Sequence, residues 1–170
     1  MKNKRLCMGM AVLVLVLGMT VADNLDAQTD SRLNGTWTVT SDEGMEIEMT
    51  LHNGNFEQSS INRREGIQSF SRGTYTANNG VFTSRPTHFM NIGSMATLFG
   101  LESGKWYTLD EYRIAMRNYF TTLGLSQDVV NQMMENMTSF LPVNYSVVSS
   151  SLIMTATFDG KSGTVVFTKK

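Results

Sequence analysis

The segment Met45-Glu46-Ile47-Glu48-Met49-Thr50-Leu51 decides the fold class, because apolar and polar residues alternate through it without a break. Side chains two residues apart in a β-strand point to the same face of the sheet. The segment is therefore predicted to be a strand with one buried apolar face and one solvated face. The preceding residues, 36–40, place Trp37 and Val39 on one face of a neighbouring strand, and the turn at 41–44 joins the two strands.

Turn residues divide the chain after this hairpin. His52-Asn53-Gly54-Asn55 contains the Asn-Gly pair that supplies the positive φ angles of a tight hairpin, so a third strand is predicted to follow. Residues 61–66 are polar and are interpreted as a loop. An extended segment at 67–77 ends in a second such turn, Asn78-Asn79-Gly80.

The next stretch is less regular. Residues 81–84 are predicted to form a short strand that Arg85-Pro86 interrupts or ends, because proline cannot donate to a sheet ladder. Residues 87–107 show no sustained period, although 87–90 and 106–107 each have the composition to pair briefly.

The period then becomes helical. Thr108-Leu109-Asp110-Glu111 fits a capping box, Gly124 ends the first helix, and a second helix begins near Ser126 and stops before Pro142. The apolar residues at helical spacing are Leu109, Tyr112, Met116, Tyr119 and Phe120 in the first helix, and Val130, Met133, Met134, Met137 and Leu141 in the second. A helical hairpin insertion is predicted over 108–141.

Alternation returns after Pro142. A strand is predicted at 143–148, and a serine turn follows it. The next strand is predicted at 152–158 and the last at 164–168, with the hairpin loop 159–163 between them. The total is about eight strands, each with an apolar and a polar face. A closed antiparallel up-and-down barrel buries all the apolar faces and leaves no open edge, so we predict a mainly β fold of this kind with a two-helix insertion before the last strands.

The N-terminus has the features of a secretory signal peptide. Basic residues precede an apolar run from about Met8 to Val21, which is shorter than the ~20 residues of a membrane-spanning helix, and small residues follow it. Cleavage is expected after Ala22 or Ala27, and we take 1–27 as the signal and 28–170 as one domain. The mature protein is then expected to be periplasmic or extracellular, with no stable membrane span.

Composition and motifs argue against several functions. Cys7, the single cysteine, lies before the apolar run, so the mature chain has no thiol for disulfides, nucleophilic catalysis or thiolate metal sites. Removing residues 1–27 leaves 11 basic against 13 acidic residues, which does not favour nucleic acid. Neither His52 nor His88 belongs to a catalytic or metal-binding motif. We expect no enzyme activity, no cofactor and no metal.

The segment Asn34-Gly35-Thr36-Trp37 at the start of the first strand resembles the Gly-x-Trp signature of the lipocalins, and the last three strands look like those of small lipocalin-like (calycin-type) proteins that bacteria export. The resemblance covers about 35–84 and 143–170. It implies a barrel that binds a small apolar ligand. Lipocalins also pack an arginine across this tryptophan, and here only Lys169 or Lys170 is available. Their Thr-Asp-Tyr type motif is absent.

The inward face of the barrel supplies the predicted ligand-binding residues, which are Trp37, Val39, Ile47, Met49, Phe56, Tyr75, Phe82, Tyr145, Met154 and Phe167. The same pattern also fits a solid core, as in many small barrels. In that alternative the protein is a non-enzymatic envelope or surface interaction protein, or an inhibitor, whose partner binds the helical hairpin. An enclosed apolar cavity of a few hundred cubic ångströms would distinguish the first function from the second.

Overall fold

The computed structural model describes residues 29–42, 44–136, 142–158 and 161–170. The predicted signal peptide, Cys7, Met137, Leu141 and the turn at 159–160 lie outside these ranges. The strands are β1 (Gly35–Thr40), β2 (Met45–His52), β3 (Asn55–Asn62), β4 (Ile67–Asn78), β5 (Val81–Gly93), β6 (Tyr107–Thr108), β7 (Val143–Val148), β8 (Ser151–Phe158) and β9 (Lys161–Lys169). The helices are α1 (Ser94–Leu98), α2 (Leu109–Thr122) and α3 (Gln127–Asn136), and a 3₁₀ turn at Ser31–Leu33 precedes β1.

Eight of these strands close into an antiparallel barrel, which confirms the predicted fold. The order around the barrel is β1, β2, β3, β4, β5, β7, β8, β9 and back to β1. Two of the pairings are short: β5 meets β7 only at Val81 and Phe82, and β1 meets β9 only at Trp37 and Thr38. The strand β6 pairs with His88 and Phe89 further along β5 and stands outside this circuit.

The strand β5 is longer than the sequence indicated. The expectation that Arg85-Pro86 ends a strand at 84 is wrong, because the ladder with β4 continues from Val81 to Gly93 across a register shift beside Gly73. This bulge accommodates Pro86, which has no N–H to donate. It also brings Gly73 so close to β5 that a Cβ there would clash with the Arg85 carbonyl oxygen and lie 2.8 Å from the Pro86 Cα.

The hairpin turns agree with the sequence in their chemistry and differ in their extent. Asn53 and Asn79 adopt φ angles of 47° and 51°, as expected for Asn-Gly hairpins. The loop predicted at 61–66 is shorter, because β3 continues to Asn62 and the turn occupies 63–66. The loop predicted at 159–163 is also shorter, since β9 already begins at Lys161.

The capping box at the start of α2 is confirmed. The Thr108 side chain accepts from the Glu111 backbone N–H at 3.4 Å, and the Glu111 carboxylate accepts from the Thr108 backbone N–H at 2.8 Å. The sequence did not predict α1, and the other two helices fall inside the predicted hairpin. Within the described ranges, no helix combines the length and hydropathy that crossing a bilayer requires.

The buried apolar residues form two separate clusters. The first fills the barrel and includes Trp37, Leu51, Phe82 and Leu152, all 0% exposed. The second lies among the helices and consists of Phe99, Met116, Phe120, Val130 and Met134, with partly buried residues around them. We call residues 94–136 the helical cap, because its side chains cover one end of the barrel, as the contacts below show.

Candidate binding site at the capped end of the barrel

The end of the barrel opposite the cap is closed by the start of the chain. The Trp37 Nε1 donates a 2.7 Å hydrogen bond to the Leu33 carbonyl oxygen in the 3₁₀ turn. The Lys169 ammonium stands 5.2 Å from the centroid of the Trp37 ring, which is a cation–π distance. Gly35 has a φ of 132°, a backbone conformation that residues with a Cβ rarely adopt, whereas the Lys169 Cε, 2.8 Å from the position of a Cβ, belongs to a flexible side chain. Glycine is therefore needed two residues before Trp37. Lys169 lies over the Trp37 ring, where the lipocalin resemblance leads us to expect a basic side chain.

A small polar network holds this closed end together. Asp30 caps the 3₁₀ turn, forms a 2.6 Å ion pair with Arg32 and accepts a 2.9 Å hydrogen bond from the Tyr145 hydroxyl. The hydrogen bonds from Arg32 lower the pKa of Asp30 to about 2. Burial, together with the hydrogen bond to Asp30, raises the pKa of Tyr145 to about 12. At neutral pH Asp30 is therefore ionised and Tyr145 is neutral. Their contacts with each other and with Arg32 give them a structural role at the closed end.

The structure places the ten predicted ligand-binding residues together in the barrel interior. Nine belong to the buried cluster and Val39 packs against it with partial exposure. They contact one another closely: Tyr75 and Phe82, for example, stack with their ring centroids 5.2 Å apart. None of the ten lines the cavity described below. Their contact with a ligand stays a prediction.

A polar wall occupies the inner face of the barrel at the capped end. Strand pairing places Met49, Gln58, Ser71 and Phe89 in one row across β2, β3, β4 and β5. The next row toward the cap is Ile47, Ser60, Ser69 and Asn91. Across these two rows the interior is apolar on β2 and polar on β3 and β4, and β5 contributes one apolar and one polar residue. We call Gln58, Ser60, Ser69, Ser71 and Asn91 the polar wall.

The polar wall borders a cavity of about 20 Å³ beneath the helical cap. That volume holds about one water molecule and is far smaller than an organic ligand. Its lining consists of the five wall residues with Phe70, Phe89, Met95 and Tyr112, none of which carries a charge. This cavity, between described residues, is therefore not the apolar cavity of a few hundred cubic ångströms that a bound apolar molecule requires.

Two hydrogen bonds involve the side chains of the polar wall. Gln58 Nε2 donates to the Ser60 hydroxyl over 3.4 Å, and Asn91 Nδ2 donates to the Tyr112 hydroxyl over 3.1 Å. Ser71 is 3% exposed and lines the cavity, and no buried side-chain nitrogen or oxygen atom among the described residues lacks a hydrogen-bond partner. A hydroxyl that borders a cavity can donate to and accept from a water molecule or a ligand there. The cavity beside Ser71 is where either would lie.

Tyr112 connects the cap to the barrel. Its ring stacks on Phe89 with the centroids 4.7 Å apart, and Phe99 packs edge-on against it. Burial raises the pKa of Tyr112, so its hydroxyl is neutral and accepts from Asn91. The sequence indicated that Tyr112 faces the interior of the hairpin, and the structure adds that it contacts the barrel end.

Sequence reasoning missed the polar wall because it assigned polar residues to the solvent. A usable signal was present in β3, since Phe56 was placed inward and period two puts Gln58 and Ser60 on the same face. The other candidate groups form no reactive cluster. His52 is exposed at the end of β2, and His88 contacts the Thr87 hydroxyl. The described residues contain no group of three side chains suited to a metal ion.

The fold and the site together define a closed antiparallel barrel with one end sealed by the chain start and the other covered by helices over a polar wall. No protein-family model matches the chain, and no curated protein matches it. The geometry of the site is therefore the basis for assigning a function.

Proposed function

We propose that this protein is an exported, non-enzymatic, lipocalin-like protein that binds a small molecule at the capped end of its barrel. The observation that carries the proposal is the cavity between the polar wall and Tyr112, which Ser71 and the other uncharged hydrogen-bonding side chains of the wall line. The lipocalin-like character is supported by Gly35, Trp37 and Lys169 at the closed end. Export is supported by the sequence of residues 1–27.

Binding requires the helical cap to move. The cavity of about 20 Å³ must grow severalfold to admit an organic molecule. The cap has its own hydrophobic cluster, which shares no residue with the cluster inside the barrel. The ring stack and the hydrogen bond of Tyr112 link the two units. Outward movement of the cap can therefore leave both clusters packed while it exposes the polar wall and Phe89.

The apolar side of the opened compartment accommodates the apolar ligand expected from the lipocalin resemblance. Phe89 and Met95 line the cavity beside the polar groups, and methionine adapts to ligands of different shape. The deeper barrel interior below this compartment is filled by Trp37, Phe82 and Leu152. The ligand is thus held near the mouth of the barrel and not along its whole length.

Two tyrosines on α2 provide a matched test. Tyr112→Ala removes the stack on Phe89 and the bond to Asn91, whereas Tyr119→Ala removes ring contacts with Phe99 and Phe120 inside the cap only. We expect Tyr112→Ala to change the affinity for an environment-sensitive apolar dye by at least tenfold and Tyr119→Ala by less than threefold. Equal effects, or no dye binding by any form, would contradict binding at the capped end.

A second function remains supported by one observation. Four apolar side chains of the cap region, Leu98, Ile114, Leu123 and Val129, are 42 to 61% exposed. Exposed apolar residues on helices favour a protein interaction at the cap. Native mass spectrometry of protein purified from its own host separates the functions, because a retained small molecule supports the binding protein and a retained polypeptide supports the interaction protein.

A further inference from the structure

We infer that the ligand of the capped end is an uncharged amphiphile whose hydroxyl-bearing head is bound by the polar wall. This inference rests on the proposed binding function and specifies the chemistry of the ligand. This ligand class differs from the purely apolar molecule that the lipocalin resemblance implies, because the polar wall presents carboxamide and hydroxyl groups to a ligand.

The absence of charge from the lining is the first argument. The nine residues around the cavity include no acidic or basic side chain. An ionised carboxylate or ammonium group buried there would lose its hydration without gaining an ionic partner, which is strongly unfavourable. A neutral head group avoids that loss. The site therefore selects against fatty acids, amines and phosphates.

The kinds of hydrogen-bonding group in the wall are the second argument. Gln58 and Asn91 each offer a carboxamide with two donor hydrogens and an acceptor oxygen, and serine hydroxyls donate and accept. The protein uses only part of this capacity, through the 3.4 Å bond from Gln58 to Ser60 and the 3.1 Å bond from Asn91 to Tyr112. A head group with several hydroxyls matches this mixture, because each hydroxyl also donates and accepts.

The arrangement of the two surfaces is the third argument. Polar side chains come from the barrel strands, whereas Met95 and Phe89 supply apolar surface and the helical cluster lies behind Met95. A molecule between cap and barrel contacts a polar surface on one side and an apolar surface on the other. This separation fits a ligand with a polar head and a hydrocarbon tail better than one that is polar or apolar throughout.

Two probes of equal chain length test the inference on the mature full-length domain. Octyl β-glucoside has an uncharged head with several hydroxyls, and octanoate has a charged head. Both are titrated below their micelle concentrations and followed by isothermal calorimetry. We expect the glucoside to bind at least tenfold more tightly. Equal affinities, or tighter octanoate binding, would overturn the inference.

Variants connect the binding to the wall. Ser71→Ala and Gln58→Leu each remove hydrogen-bonding groups from the cavity, and each is expected to weaken glucoside binding about three- to tenfold, as for the loss of one neutral hydrogen bond. Ser59→Ala is the matched control, since Ser59 lies between two inward residues of β3 and faces outward. Thermal unfolding checks that each variant is folded, and Ser60→Ala replaces any that is not. Unchanged affinity in the folded wall variants would refute the role of the wall.

The outcomes separate this inference from the proposed function. Binding of octanoate without binding of the glucoside keeps a ligand site and rejects the ligand class. If neither probe binds, the molecule retained in the native mass spectrum decides: an uncharged hydroxyl-bearing amphiphile supports the inference, and a charged molecule or a hydrocarbon overturns it. No retained molecule and no probe binding reject both. Crystals of the host-purified protein with only ordered water beside Ser71 give the same negative result.

Discussion

Leu152→Ala tests whether the barrel interior below the cap is solid. Leu152 is fully buried and lies between Val147 and Phe167 in the strand register. The substitution removes an isopropyl group, and at about 0.8 kcal/mol per carbon its loss from a buried position costs roughly 2.4 kcal/mol. A rigid core adds about 1 to 2 kcal/mol for the cavity left behind. We expect the free energy of unfolding to fall by about 3.4 to 4.4 kcal/mol.

The neighbouring residue provides the control. Ile153 faces outward beside Val166, which is 50% exposed, so Ile153→Ala should cost less than about 1 kcal/mol. Guanidinium unfolding followed by circular dichroism gives both values. Benzene binding is a second measurement, because an apolar cavity in a packed core stays dry and takes up small apolar molecules. We expect Leu152→Ala to bind benzene and the wild type not to bind it.

A small loss of stability would refute this reasoning. If the interior opened readily to ligand, Leu152 would have fewer packing partners, and its truncation would cost no more than about 1.5 kcal/mol. Benzene binding by the wild type would lead to the same conclusion. Either result would return the ligand to the ten inward residues that the sequence predicted and would remove the reason for placing it at the capped end.

Three further substitutions test other parts of the structure. Gly73→Ala should destabilise the barrel by more than about 3 kcal/mol, because its Cβ meets the backbone of β5; unfolding midpoints similar to the wild type would contradict the bulge. Asp30 has a folded pKa of about 2, below its ordinary 3.8, so its carboxylate stabilises the fold above about pH 4 and this contribution is lost as the pH falls toward 2. Over that pH interval we expect the free energy of unfolding of the wild type to fall by about 1 kcal/mol more than that of Asp30→Asn, a value reduced for solvent screening. Parallel pH curves of the two proteins would disprove the role of Asp30. Thr108→Ala removes the α2 capping box and should lower stability by about 1 kcal/mol in thermal unfolding; Thr108→Ser, which keeps the hydroxyl, should not.

The sequence predicted those parts of the fold in which burial and alternation agree. In β2 every inward residue is apolar, so its pattern identified both the strand and its face. In β5 the bulge shifts the inward positions from even to odd numbers, and no single period describes the strand. Pro86 was predicted to interrupt or end the strand, and the strand continues because Pro86 is accommodated opposite Gly73, which lies on another strand. Such a dependence between strands cannot be detected from local periodicity.

The candidate site was harder to predict for a related reason. Hydrophobic periodicity locates the residues that avoid water, and these form the filled end of the barrel. Four of the residues that border the cavity, Gln58, Ser60, Ser71 and Asn91, are polar and buried at once beneath the cap. Their burial depends on contacts between Tyr112 and β5, which are distant in the sequence. The ten predicted residues lie in or against the buried core, where their contact with a ligand stays a prediction, and the polar wall became visible only in the folded chain.

The two ends of the barrel have different requirements, and this difference is the strongest physical argument for a site under the cap. Stability is supplied where apolar side chains fill the interior and where Trp37, Leu33 and Lys169 seal the closed end. Apolar residues at positions 58, 60 and 71 would serve stability as well or better, because replacing both partners of a buried hydrogen bond by apolar groups of the same shape is nearly neutral or stabilising. The chain instead has glutamine and serine there. The nine residues that line the cavity include no charged side chain, and the described residues form no metal-binding group that would need these polar partners, so recognition of a polar molecule gives them a reason to be polar.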